Sequence, residues 1–275
     1  MKLILLLIVF AAGTLYLISI KPRLSGRPDY TPFLNHMYAH RGLHNMKRKD
    51  KLLLPENSYA AIKRAADLGY GIEFDVHLTK DNVPVVFHDD TLNRVCGVKG
   101  YLKDYTFEEL RQFRLLETDQ KIPSFEEILK VVDGRVPLII EYKVEKNADR
   151  LCSICNRILS DYKGLYCIES FHPLAVRWYK KHRPDIVRGQ LSDYFIARKL
   201  RLSHFLLSHL IGNCYASPDF VAYNCKYQSE LSRIICRRLY HSLSVAWTVR
   251  SQEELEKVSK SFDLFIFEGF IPSIQ

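Results

Sequence analysis

Beyond its first thirty or so residues the chain alternates between short apolar runs, rich in β-branched and aromatic residues, and longer stretches with a helical period. Such alternation marks a parallel sheet with crossover helices. The runs that read as strands are Tyr38–Arg41, Gly71–His77, Val83–Phe87, Pro137–Lys143, Leu165–Ser170, Ile186–Leu191, Phe220–Tyr223, Val245–Val249 and Leu264–Phe267. Helices are predicted over Asn57–Leu68, Ala148–Tyr162, Pro173–His182 and Glu230–Tyr240. Three further helix starts are signalled by hydroxyl and carboxylate residues three apart, Thr106 with Glu109, Ser124 with Glu127 and Ser251 with Glu254, each the pattern of a capping box. Too few residues separate the second run from the third for a parallel crossover. The segment "LTKDNVP" therefore reads as a hairpin turn, with Val83–Phe87 folded back over the barrel mouth and His88 at its end. The remaining runs suit an α/β fold, a closed (β/α)8 barrel with a small hairpin insertion after the second strand.

The N-terminus has a different pattern. From Leu3 to Ile20 there are eighteen residues without a formal charge, nearly enough as a helix to cross a hydrocarbon core, and "KPRLSGRP" ends the run. Phe10-Ala11-Ala12-Gly13 resembles a cleavage site, but "TLYLISI" continues the apolar run beyond it, so an uncleaved single-pass membrane anchor is preferred to a signal peptide. The predicted organisation is an anchor over 1–22, a linker over 23–35 and one catalytic domain over 36–275, with no internal repeat or low-complexity tract. Lys21, Arg23 and Arg27 outnumber Lys2 and the amino terminus, which favours a cytoplasmic catalytic domain. Seven irregularly spaced cysteines do not read as a disulfide framework and agree with that side of the membrane. A formal charge of +9 implies an anionic partner. With no nucleic-acid-binding signature, and with the apolar N-terminus, a phospholipid surface is the better reading.

The chemistry lies at the predicted strand ends, where a parallel barrel keeps its active site. Glu73 and Asp75, two apart on one strand, share a face and suit a hard divalent cation with oxygen ligands. His40 and His88 titrate near neutrality and suit acid and base roles. Glu141 and Lys143 repeat the alternation on "PLIIEYK". Arg41 suits bidentate binding of phosphate oxygens, and Lys143 adds a point charge. No G-x-S-x-G elbow, Walker-type loop or H-E-x-x-H helix is present.

The segments "AHRGLHN", "PENSYAAI", "GIEFDVHLTKDNVPVVFHDDTLNRV", "KIPSFEEIL", "PLIIEYKVE", "IESFHP", "VAWTVRS" and "DLFIFEGF" together resemble, in order, the glycerophosphodiester phosphodiesterase family over residues 36–272. The resemblance implies a TIM barrel of the phosphatidylinositol-phospholipase-C-like type and one divalent cation, Ca2+ or Mg2+. It implies Glu73, Asp75 and Glu141 as metal ligands, His40 and His88 as the acid/base pair, and Arg41 and Lys143 as phosphate-binding residues. The expected reaction is hydrolysis of glycerophosphodiesters to glycerol 3-phosphate and an alcohol. Lysophospholipids presented at a bilayer are a second substrate class, giving lysophospholipase D activity. A sphingomyelinase-D-like enzyme and a catalytically silent, membrane-tethered head-group-binding barrel are the rival readings. The chain departs from the family where "PENS" stands for "PENT", "KDN" for "KDG", and Phe267-Glu268 for "TD", which leaves the role of Glu268 open.

Several other residues have two readings. Cys152 and Cys155 form a C-x-x-C but are expected as core thiols. His44 and His77 are near the motifs, with a structural role preferred for His77. Trp247 suits either the core or a head-group contact. Asn57 either reaches the metal or the phosphate, or only helps cap the first helix. Phe195–Ile211 is expected as an amphipathic helix, packed on the barrel or lying on the bilayer.

Overall fold

A computed structural model describes residues 1–45, 53–144, 147–197 and 201–273. Among these, nine strands occur where the apolar runs predict them, with ends shifted by at most two residues. They are β1 (Met37–His40), β2 (Gly71–Leu78), β3 (Pro84–Val86), β4 (Leu138–Tyr142), β5 (Tyr166–Ser170), β6 (Arg188–Ser192), β7 (Phe220–Asn224), β8 (Leu243–Val249) and β9 (Leu264–Phe267). All but β3 pair in parallel, and β1 closes the ring by bonding to both β9 and β2. The fold is a TIM barrel.

The hairpin is also present. β3 runs antiparallel to β2, with Val76 opposite Val86 and Leu78 opposite Pro84. β1 covers that edge of β2 only from Gly71 to Glu73. Beyond the end of β1 the insertion takes over the same edge, so it sits above the rim and not within the ring.

Alternation divides each strand between two cores. Ile72, Phe74 and Val76 of β2 and Leu138, Ile140 and Tyr142 of β4 pack outward against the helix layer. Tyr38, Ile139, Cys167, Phe220, Val245 and Ile266 fill the barrel interior. Two glycines make room there: a Cβ on Gly71 would strike the Tyr38 ring at 2.7 Å, and one on Gly189 would strike the Phe220 ring at 2.0 Å. The insertion has a third core of its own, built around Val85, Phe87, Leu92, Val95, Leu102, Leu110, Leu115 and Ile122.

Local capping accounts for most helix starts. Thr106 and Ser124 form complete capping boxes with Glu109 and Glu127. Ser251 does not: its hydroxyl accepts from the Glu254 amide, but the Glu254 carboxylate accepts from the Arg250 amide instead of returning to Ser251. The helix expected from Asn57 begins at Tyr59, because Ser58 is its cap and Asn57 adopts a left-handed φ of 56°. The single amphipathic helix expected over Phe195–Ile211 is instead a 3-10 turn at Phe195–Ala197 and a separate helix at Leu202–Ser208. Its C-terminal end is set by Leu210, whose φ is 55°. Residues 198–200 of that expectation lie outside the described residues.

The N-terminal helix, Lys2–Ile20, is long and apolar enough to cross a membrane or to serve as a signal sequence. Its last turn is fixed to the barrel: the Gly212 amide donates to the Ser19 carbonyl at 3.1 Å, and the Tyr240 hydroxyl donates to the Leu17 carbonyl at 2.9 Å. The basic stretch after it packs down as well. The Arg23 amide donates to Pro218 O at 3.0 Å, and the Arg27 guanidinium to the carbonyls of Tyr240 and His241.

Candidate active site

Two strands, β2 and β4, bring three inward carboxylates together at the C-terminal rim. One oxygen each from Glu73, Asp75 and Glu141 lies within 4.8 Å of the others, and all three residues are buried. Three buried carboxylates in reach of one point are a donor set suited to a hard divalent cation. Lys143 ion-pairs with Asp75 at 2.8 Å and with Glu141 at 2.5 Å, and Arg41 Nε lies 3.4 Å from Asp75. The Asn57 side-chain amide donates to Asp75 at 2.8 Å, so this residue orients a candidate ligand and does not cap the helix.

Charge crowding drives the titration of these groups in opposite directions. Burial, followed by Asp75, Glu141 and Glu169, raises the Glu73 carboxyl well above its ordinary range. Asp75 is equally buried, but Lys143, His88 and Arg41 outweigh that burial and hold it well below. Burial also raises Glu141, with Lys143 opposing. Lys143 itself is raised, because Asp75 and Glu141 outweigh its desolvation.

Each of the two histidines beside this cluster engages a carboxylate through Nδ1. His40 Nδ1 is 2.8 Å from Glu268 Oε2; a carboxylate only accepts, so Nδ1 carries the proton and Nε2, 3.9 Å from Glu73, is left with its lone pair. Burial, reinforced by Arg41, lowers the His40 value to about 4 even against the pull of Glu268. His88 pairs its Nδ1 with Asp89 at 2.6 Å, and its backbone carbonyl is held by His77 Nε2 at 3.0 Å. His77 is therefore a support for His88. Asp89 is fixed by Arg94, which forks onto Glu56 at 2.6 and 2.8 Å, and Glu56 accepts from Arg41 at 2.7 Å. This chain of charges ties the insertion to β1.

Arg41 has a φ of 55°, left-handed for a residue with a side chain, and its amide donates to Glu73 at 3.1 Å. Held strain of this kind concentrates at functional sites. A cavity of about 260 Å³ lies between His40, His88, Glu73, Glu141 and Lys143, walled by Phe171, Leu191, Trp247 and Ile266. Trp247 thus belongs to the cavity wall, edge-on to Phe171. Cys152 and Cys155 are buried free thiols within the hydrophobic core, as expected. His44 clusters with His40 and Glu268, its ring nitrogens buried.

Every expected site residue is therefore at one rim. Sequence reasoning missed Glu56, Asp89 and Glu169, and left Glu268 undecided. Glu169 is buried in register with Glu141 and lines the same cavity, its Oε2 lacking a hydrogen-bond partner. The alternation that singled out Glu141 applies equally to Cys167 and Glu169 on the next strand. Glu56 and Asp89 are paired through Arg94, a long-range contact with no local signal.

A closed parallel barrel with buried carboxylates and two carboxylate-held histidines at its C-terminal rim has the groups that a metal-assisted hydrolase needs, placed where such barrels keep their active sites. Residues 40–261 match the glycerophosphoryl diester phosphodiesterase family, and the chain belongs to it. A glycerophosphodiester phosphodiesterase from Caldanaerobacter subterraneus is 27% identical over 237 residues, spanning 81% of this chain and 89% of that one. A Bacillus subtilis relative assigned to the same activity is 36% identical over the same shares of both chains. The fold matches that of an Oleispira antarctica phosphodiesterase solved with its product sn-glycerol 3-phosphate, with a TM-score of 0.69 at 23% identity over 86% of this chain and 93% of that one. The protein is a phosphoric diester hydrolase.

Proposed function

We propose that the protein hydrolyses glycerophosphodiesters to glycerol 3-phosphate and an alcohol, with Glu73, Asp75 and Glu141 holding one divalent cation, Ca2+ or Mg2+. The observation that carries this reading is the convergence of three buried carboxylates and two oriented imidazoles on one cavity. A bound cation polarises a phosphoryl oxygen and offsets the charge that grows on it. Asn57 and Lys143 hold Asp75 and Glu141 in place. Arg41 and Lys143 supply positive charge to the remaining phosphate oxygens. His40, kept neutral by burial, takes a proton at Nε2 from the attacking hydroxyl or water. His88, nearer the mouth with a side chain 32% exposed against 14% for His40, donates to the departing alcohol. Glu268 fixes the His40 tautomer that leaves Nε2 free to accept, and Asp89 orients His88 through Nδ1 and offsets the charge of the doubly protonated ring from which the proton is given.

Release of glycerol 3-phosphate from glycerophosphocholine or glycerophosphoethanolamine tests this. Turnover should depend on added divalent cation and fall by roughly 10²–10⁴ in His40→Ala, the usual span for losing a positioned acid or base. Glu73→Ala should be equally inactive. Full activity after chelation overturns the metal assignment, and undiminished turnover in His40→Ala overturns the acid/base assignment.

A further inference from the structure

The catalytic cavity contains a carboxylate that the mechanism above leaves without a task. Glu169 points inward from β5, in one row with two of the candidate ligands: Asp75 is in register with Glu141, Glu141 with Glu169, and Glu169 with Gly189 on β6. It is only 1% exposed, and it lines the cavity with His40, Glu73, Glu141 and Lys143. Its Oε2 has no hydrogen-bond partner among the described residues. The surroundings explain why. Glu141, already ion-paired to Lys143, stands on one side. On the other side Gly189 has no side chain, and the Phe220 ring occupies its place. Two residues back along the same face is Cys167, in the apolar interior of the barrel, and two residues on is Phe171. None of these neighbours supplies a strong donor.

The other carboxylates on the cavity wall are engaged. Glu73 accepts from the Arg41 amide, Glu141 pairs with Lys143, and Asp193 accepts from the Tyr194 amide. Glu169 also stands outside the candidate cation site, whose mutually close ligand atoms come from Glu73, Asp75 and Glu141. A buried oxygen without a donor costs free energy. Its place on a cavity wall points to a donor that arrives with the ligand.

Position selects which part of the ligand that is. Neighbouring strands lie about 4.8 Å apart, so Glu169 stands about one strand spacing beyond Glu141, on the side away from β2. A phosphate held by the cation, Arg41 and Lys143 therefore has Glu169 to one side. Of its two ester arms, the departing alcohol takes the mouth, where the His88 side chain is 32% exposed. The retained glycerol takes the inner wall. Its 2-hydroxyl stays close to the phosphate and the cation, whereas the terminal hydroxyl, one carbon further out, reaches the next strand. Leu191 and Ile266, on β6 and β9, offer apolar contact to the carbon chain.

We propose that Glu169 sets substrate specificity by accepting a hydrogen bond from the terminal hydroxyl of the glycerol unit, so that diesters carrying that hydroxyl are selected over those lacking it. The inference rests on the phosphodiesterase reading above.

The test compares glycerophosphoethanolamine with its 1-deoxy analogue, the phosphoethanolamine diester of propane-1,2-diol, using the full chain and saturating divalent cation. In the parent, kcat/KM should be about tenfold to a hundredfold lower for the analogue, as expected when a buried polar group loses its partner. Glu169→Met, close in length and without an oxygen, should make the two substrates nearly equal by lowering turnover of glycerophosphoethanolamine. Glu169→Gln keeps an acceptor and should retain most of the discrimination. Glu169→Asp draws the acceptor back by one methylene and should lose most of it, which serves if Glu169→Met fails to fold. The cation concentration for half-activation should be the same in every variant. Loss in equal proportion on both substrates makes Glu169 a structural residue, and a raised half-activation concentration makes it a cation ligand; either overturns the assignment. Equal turnover of the two substrates by the parent also overturns it and leaves the phosphodiesterase reading standing. Hydrolysis of neither overturns both.

Discussion

Glu268 stands behind His40 as a carboxylate behind an imidazole, fixing the tautomer; in the proposed mechanism it also offsets the charge that the ring gains on accepting a proton. Glu268→Gln should lower kcat by roughly 10²–10⁴ with KM little changed, and Glu268→Asp should recover part of that loss, as positioning of a catalytic base predicts. Steady-state kinetics on glycerophosphoethanolamine separates the two parameters. The pair also sets acid sensitivity. The lowered His40 value, about 4, contributes stability that is complete above the ordinary 6.5 and is lost as pH falls towards 4. Glu268, lowered to about 2 first of all by its bond to His40, contributes stability that is complete above 4.5 and is lost towards 2. Melting temperature should therefore fall below about pH 6.5, and between pH 4.5 and 3 it should fall less steeply in Glu268→Gln. Glu73 has the opposite sign. Its raised carboxyl contributes stability below 4.5 that is lost as pH rises, so at neutral pH the crowded cluster opposes folding. Without divalent cation, Glu73→Gln should melt higher than the parent, by about 2–4 °C per kcal/mol relieved, while turning over no substrate.

Secondary elements were legible wherever the signal was local. Strand positions followed from apolar runs, and the hairpin followed from a connection too short for a crossover. Ser124 with Glu127 specified its own box because both partners lie within one turn. Ser251 with Glu254 shows the limit, since a competing donor, the Arg250 amide, claimed the carboxylate. Asn57 and Ser58 divide two tasks between neighbours: Ser58 accepts from the Ala61 amide while Asn57 turns inward to Asp75. Ser58→Ala should cost about 1 kcal/mol, the worth of a cap, and lower the melting temperature by about 2–4 °C with kcat unchanged. Asn57→Ala should instead weaken cation affinity, by about 10–100-fold as losses behind a ligand do, measured by titrating activity with the metal. Glu56 and Arg94 were not legible, because they meet across 38 residues of chain and no periodicity encodes such a pairing.

At the scale of the whole molecule, eight parallel strands, the ring closure and the rim position of the chemistry all follow from one alternating pattern. The course of the N-terminal segment does not, since its fastening depends on the contacts of Gly212, Cys236 and Tyr240. A divalent cation bound only by the native state should raise the melting temperature, by the equivalent of about 2.7 kcal/mol at a hundredfold excess over Kd. Glu73→Gln should abolish that rise, read by calorimetry with and without metal. The insertion between β2 and β4 has one more consequence. Its apolar core is its own, and His88 stands at its edge, so the histidine belongs to a unit able to open while the barrel stays shut. In native-state hydrogen exchange, amides of residues 85–122 should exchange ahead of those in β4 to β7, with a shared free energy of opening. Substitutions among Leu102, Leu110 and Leu115 should then alter how long His88 stays in place without altering the resistance of the barrel to denaturant.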